Sequence, residues 1–262
     1  MRWQKALVTG ASSGIGEAFA RRLAGEGTAV VAVARREERL KELPGDVEVL
    51  AADLTDEADL ARVEARLAVG DIDLVINNAG FGTTSRFADI PSERVTREVA
   101  LDVAAVARLT RAALPPLLAR GSGGVLNVSS LVGFYPSPHM ATYGGAKAFV
   151  NSFTEAVAEE MRGTSVRVAV LCPGLTYSEF HQVANVGNLR NLPAMAWQTA
   201  DEVARIGLDG LAAGRIVIVP GALNRTVALV TNLVPRSVVR RAAGFVQRAR
   251  GAQHTAAQRG TR

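Results

Sequence analysis

One cysteine, Cys172, and three scattered histidines, His139, His181 and His254, are all the thiol and imidazole chemistry in this chain of 262 residues. A lone thiol excludes an internal disulfide and fits a reducing compartment, and its place in an apolar stretch just before Pro173 marks it as a small buried hydrophobe. The histidines lack metal-ligand spacing, so no metal site is expected. Long apolar runs are missing as well, and none reaches the length needed to span a membrane. Only Met1 to Gln4 precede the first apolar strand, too little for a secretory signal, so a cytoplasmic location is expected.

Acidic residues disappear toward the C-terminus. From Arg215 to Arg262 there are nine Arg and no Asp or Glu, so this segment carries +9 and the rest of the chain −4. Within it Val227, Leu229, Val230, Leu233 and Val234 precede Pro235. Val238, Val239, Ala242, Val246 and Ala249 then recur at helical spacing beside Arg236, Arg240, Arg241 and Arg248. A basic amphipathic helix of this kind can lie on an anionic membrane, pack on a partner, cover the chain's own substrate cleft or join a subunit neighbour. Nucleic-acid binding is not expected, because no recognition motif accompanies the charge and Phe245 alone is available for stacking. The polar, small-residue stretch 251–262 is expected to be disordered.

What is present is a regular alternation. Apolar, β-branched strands are predicted near residues 5–9, 29–34, 47–51, 73–76, 123–129, 165–171 and 215–219, with helical patterns between them and no linker through residue 220. A hydrophobic content of 48% is enough to cover a parallel sheet on both faces. The fold class is therefore α/β: a doubly wound parallel sheet with helices on both faces. The expected organisation is one domain over 1–221, a basic helical extension over 222–250 and the tail 251–262.

Two constellations carry chemistry. After the strand Lys5 to Val8 comes Thr9-Gly10-Ala11-Ser12-Ser13-Gly14-Ile15-Gly16, which opens an amphipathic helix. Glycines so placed allow a tight turn and bring backbone N–H groups at a helix N-terminus close to a pyrophosphate. Further on, Ser130 ends a β-branched run, and Tyr143 and Lys147 follow at a spacing that puts them on one helix face. A phenol is a poor acid or base near neutrality, and a neighbouring ammonium pulls its pKa down toward working pH. Where an acid at the end of the second strand would meet the ribose 2′-OH of NAD, this chain has Arg35 and Arg36, although Glu37 and Glu38 could neutralise the pair. Two Arg there favour the 2′-phosphate of NADP(H).

From residue 5 to about 220 the chain resembles the short-chain dehydrogenase/reductase family, whose fold is a Rossmann-like sheet. The resemblance rests on Thr9 to Gly16, Asp53-Leu54 after the third strand, Asn77-Asn78-Ala79-Gly80 after the fourth, Ser130 with Tyr143 and Lys147, and Pro173-Gly174 after the sixth. It implies that Gly10, Ser12, Ser13, Gly14, Ile15 and Gly16 hold the cofactor and that Asp53 and Leu54 meet the adenine. The run Asn77-Asn78-Ala79-Gly80 would close the cleft, and Pro173, Gly174 and Thr176 would approach the nicotinamide. Tyr143 would exchange a proton with the substrate oxygen, Ser130 would orient that oxygen, and Lys147 would hold the ribose and lower the phenol pKa. A homodimer or homotetramer is implied too.

One position departs from the family pattern: Asp102 stands where the family carries an Asn associated with a helix distortion and a bound water. Either Asp102 supports the same kink, or its carboxylate opposes Lys147 and shifts the pH optimum. The substrate region is expected between Gly174 and Thr199, with Phe180, Leu189, Leu192, Met195 and Trp197, flanked by Phe134, Tyr135 and Met140. Such an apolar set suggests a hydrophobic ketone or aldehyde, or the matching alcohol. The expected activity is NADP(H)-dependent interconversion of that pair. The alternative is a catalytically weak dinucleotide-binding sensor or scaffold acting through its basic tail.

Overall fold

A computed structural model describes residues 3–177 and 197–245. Seven strands form one parallel sheet in the order β3-β2-β1-β4-β5-β6-β9: β1 (Lys5–Thr9), β2 (Ala29–Ala34), β3 (Val47–Ala51), β4 (Leu74–Asn77), β5 (Gly123–Val128), β6 (Val166–Leu171) and β9 (Val217–Ile218). Two short strands, β7 (Leu175–Thr176) and β8 (Trp197–Gln198), pair separately. The seven-stranded sheet and its flanking helices are as expected, and the central strands match their predicted bounds to within a residue or two.

Alternation along the strands decides which helix covers which face. Ala6, Val8, Val30, Ala32, Leu74, Ile76, Leu126 and Leu171 face one layer together with Phe19 and Leu23 of α1 (Gly14–Gly25) and Val203 and Leu211 of α7 (Ala200–Ala212). Leu7, Val31, Val33, Val75, Val125 and Val168 face the other, against Leu60, Val63 and Leu67 of α3 (Glu57–Ala68) and Leu109, Ala113 and Leu117 of α5 (Val106–Arg120). Phe19 is fully buried, and removing such a ring costs about 3–5 kcal/mol. A short α2 (Glu37–Lys41) follows β2, and a 20-residue α6 (Ala141–Glu160) packs along β6.

The strand order reverses direction between β1 and β4, and a doubly wound sheet opens its ligand crevice at the carboxyl ends of the strands there. Helix α4 (Ser92–Val99) passes through a π-helical stretch, Ala100–Ala105, before becoming α5, so the helix distortion that the resemblance implied does fall at Asp102. The predicted strand at 215–219 shrinks to two residues, because β9 is an edge strand paired with β6 alone. Beyond it lie α8 (Ala222–Leu233) and a helical segment over 236–245. Among the described residues no helix is long and apolar enough to cross a membrane.

Candidate active site

The glycine-rich segment turns out of β1 and feeds α1. Gly10 has φ +67°, which only glycine adopts freely, and a Cβ on Gly16 would run into the Gly10 carbonyl oxygen. Ser13 precedes the helix without a side-chain capping bond, so the first backbone N–H groups of α1 are not claimed by that hydroxyl. Arg36 donates from Nε and from a terminal nitrogen to Ser12 Oγ, both at 3.2 Å, which places a guanidinium on the rim of the turn. Arg35 lies 3.9 Å from Asp53 with its side chain exposed. Asp53 itself accepts from Thr55 N and Oγ1 at 3.0 and 2.7 Å, and Leu54 is buried in the core.

The loop after β4 locks this turn in place. Thr9 Oγ1 accepts from the N–H groups of Asn78 and Ala79 at 2.9 and 3.0 Å, and Asn78 Nδ2 donates to the Thr9 carbonyl at 3.0 Å. Asn77 points elsewhere: its amide donates to Thr110 Oγ1 and Asn127 Oδ1 inside the fold. The doublet therefore divides its work, and Asn78 is the member that holds the glycine turn.

Ser130 lies just past β5, with its Oγ accepting from Val132 N at the start of a 3₁₀ turn, Leu131–Phe134. Tyr143 and Lys147 rise from α6 beside it, both buried. Ser129 Oγ donates to the Lys147 carbonyl at 2.9 Å and Lys147 Nζ donates to the Val128 carbonyl at 3.2 Å, so α6 is pinned to the end of β5. The ammonium sits 5.4 Å from the Tyr143 ring centroid, and the Tyr143 and Ser130 side chains are hydrogen-bonded. Ser130, Tyr143 and Lys147 thus come together as the spacing predicts.

Asp102 answers the question that its identity raised. The π-helical stretch carries it into the interior, where it is fully buried, and Oδ1 lies 2.8 Å from Lys147 Nζ. Its other oxygen accepts from Phe81 N at 3.2 Å. Gly80 makes room: a Cβ there would overlap Asp102 Oδ1 and stand 3.3 Å from Lys147 Nζ. The helix distortion and the direct ion pair therefore coexist. Burial raises the Asp102 carboxyl pKa against the pull of Lys147; burial lowers that of Lys147, but Asp102 and Tyr143 together raise it further than burial lowers it.

For Tyr143 the direction differs from the expected one. Burial raises the phenol above its ordinary value, Lys147 pulls it down and Asp102 pushes it up again. The lysine does act as expected, but desolvation outweighs it. One helical turn before Asp102, Glu98 is fully buried and also raised, first by desolvation and further by Asp102, with Thr83 and Arg94 pulling the other way. Sequence reading passed over it.

On the substrate side, Phe134, Tyr135 and Met140 are half-buried near Ser130, and Trp197 stacks on Tyr177 with ring centroids 4.9 Å apart. Thr176 Oγ1 donates to the Gly174 carbonyl at 3.2 Å, and the Pro173 carbonyl accepts from Leu131 N at 2.8 Å. Phe180, Leu189, Arg190, Leu192 and Met195 lie outside the described residues, as do Val246, Arg248, Ala249 and the stretch 251–262.

A family model for short chain dehydrogenase matches residues 4–188. An oxidoreductase of Bacillus subtilis (strain 168) is 39% identical over 181 residues, 66% of this chain and 68% of its own length. Serine 3-dehydrogenase of Rhizobium radiobacter is 35% identical over 189 residues, 70% of this chain and 76% of its own. A short-chain dehydrogenase from Sphingobium yanoikuyae, solved in complex with NADPH, superposes with a TM-score of 0.79 at 34% identity, covering 86% of this chain and 91% of that one. The bulky-bulky ketone specific alcohol dehydrogenase from Comamonas testosteroni gives a TM-score of 0.74 at 30% identity, over 97% and 95% of the two chains. The sheet order, the glycine turn on α1, the Ser130–Tyr143–Lys147 cluster and these matches agree that the chain is an oxidoreductase belonging to the short-chain dehydrogenase family.

Proposed function

We propose that the protein interconverts a hydrophobic ketone or aldehyde and its alcohol, with NADP(H) as the redox partner. The observation that carries the reading is the buried Tyr143 phenol, bonded to Ser130 just past the carboxyl end of β5 and flanked by Lys147.

The residues present fit the dinucleotide. Gly16 leaves a cradle that a Cβ would fill, the α1 N-terminus suits a pyrophosphate, and Arg36 on Ser12 with Arg35 beside it suits a 2′-phosphate. No carboxylate ends β2. When bound, the nicotinamide supplies or accepts the hydride. In reduction, Ser130 donates a hydrogen bond to the substrate oxygen and Tyr143 delivers its proton to the alkoxide that develops there. In oxidation the phenolate takes that proton back. Lys147 stabilises the phenolate in both directions, and Asp102 sets how strongly. NADPH in the Sphingobium structure and the bulky ketone in the name of the Comamonas enzyme support the cofactor and the substrate class. A homo-oligomer whose catalytic unit ends near residue 221 completes the reading.

The test is Tyr143→Phe. Removing the hydroxyl is expected to lower kcat for carbonyl reduction by roughly a hundred- to ten-thousand-fold while NADPH affinity stays near wild type. Turnover within a few-fold of wild type overturns the assignment.

A further inference from the structure

We propose that α8 and the helical segment 236–245 dock the enzyme on an anionic lipid surface. The inner side of α8 is spoken for. Ala228 is buried, Asn224 donates to Gln198 Oε1 at 3.2 Å and to the Pro220 carbonyl at 2.8 Å, and the helix packs on the 3₁₀ turn that follows Ser130. A soluble helix held this way turns a polar face to water. This one turns an apolar face: Leu223, Leu229, Val230 and Leu233 are all exposed, Leu233 at 74%. Val238 and Phe245, exposed at 52% and 68%, extend the same character into the next segment. Six large apolar side chains along two consecutive helices form a patch of the kind that marks an interaction surface.

Charge identifies the occupant. Residues 222–245 carry four Arg, at 225, 236, 240 and 241, and no acid, and four more Arg follow in 246–262. A second copy docking by the same face would bring these cations together without counter-ions, which disfavours an isologous dimer. A partner must offer apolar depth and negative charge in one surface, as an anionic bilayer does. Because the inner side of α8 contacts the Gly174 loop, with Asn224 against Gly174, docking places the crevice mouth near the lipid.

The experiment sediments the full-length protein with phosphatidylcholine vesicles, with and without phosphatidylglycerol, at low and high salt. Parallel arms measure particle mass by light scattering and turnover on a water-soluble carbonyl with NADPH. Binding only to the anionic vesicles, released by salt, is expected. Arg240→Gln with Arg241→Gln is expected to weaken it roughly thirtyfold, and Leu229→Ser with Leu233→Ser to weaken it comparably, with soluble turnover unchanged. No sedimentation at low salt overturns the proposal. So does binding indifferent to the Arg changes, or Leu variants that alter particle mass and leave vesicle binding intact, which would make the face a contact between copies. Loss of soluble turnover in wild type would count against the proposed activity alone.

Discussion

Replacing Asp102 by Asn removes the carboxylate 2.8 Å from Lys147 Nζ and keeps the side chain's size. At that separation an effective dielectric constant of about 20 gives an attraction of about 6 kcal/mol. Burying the two ions costs several kcal/mol each, so the pair contributes little net stability. Asn is less costly to bury and retains an oxygen for the Phe81 N–H. Each substitution still strands a buried ion, so Asp102→Asn, which leaves the Lys147 ammonium, and Lys147→Met, which leaves the Asp102 carboxylate, are each expected to cost about 3–5 kcal/mol in denaturant unfolding.

The kinetic consequence has a definite sign. Asp102 pushes the Tyr143 phenol up, so its removal lets Lys147 act unopposed and the phenol pKa falls. Reduction needs the phenol protonated, and its loss of rate at alkaline pH moves to lower pH. Oxidation needs the phenolate, and its gain of rate with rising pH also moves to lower pH. Profiles of kcat/KM in both directions read this as a displacement of one macroscopic constant belonging to the coupled group. A displacement to higher pH, or a stability loss far below that of Lys147→Met, refutes Asp102 as the counter-ion of Lys147.

Arg36→Ala removes the guanidinium from Ser12 and is expected to weaken NADPH by about ten- to a hundredfold with little change for NADH, followed by nicotinamide fluorescence; equal losses would make Arg36 a structural clamp. Gly80→Ala drives a methyl into Asp102 and Lys147, so turnover is expected to collapse while stability falls by about 1–3 kcal/mol, and a variant of normal kcat would show that the pair can give way. Burial pushes the Cys172 thiol well up from its ordinary value, so a thiol-specific reagent is expected to label the native protein no faster than it unfolds. Immediate stoichiometric labelling in native buffer would contradict that burial.

Some of this was readable without the structure because it is local. Strands buried on both faces read as near-continuous apolar runs, and β1 and β2 fall on their predicted bounds. Tyr143 and Lys147 share a helix face by spacing alone. The glycine turn announces itself because a Cβ at Gly16 has nowhere to go. What was not readable depends on residues distant in sequence. The fusion of α4 and α5 through a π-helical stretch has no periodicity of its own, yet it sets Asp102 against a lysine 45 positions away. The division of work between Asn77 and Asn78 depends on which side of β4 each faces, and the exposure of Leu233 depends on which face of α8 the 3₁₀ turn has already taken. Only the assembled interior decides between desolvation and Lys147 in setting the phenol.

The same interior constrains Glu98. Asp102 and Lys147 can neutralise one another, which leaves Glu98, buried one turn earlier, with no ion pair of its own among the described residues. A second ionised carboxylate beside Asp102 would carry both a desolvation cost and a repulsion, and both act in the same direction, toward protonation of Glu98. Thr83 and Arg94 act the other way, and burial outweighs them. Both carboxylates raise the Tyr143 phenol, Asp102 more than Glu98. That is why the charge balance felt by Tyr143 is set by Asp102, and why a single amide for that carboxylate is the substitution to which the pH profile should respond.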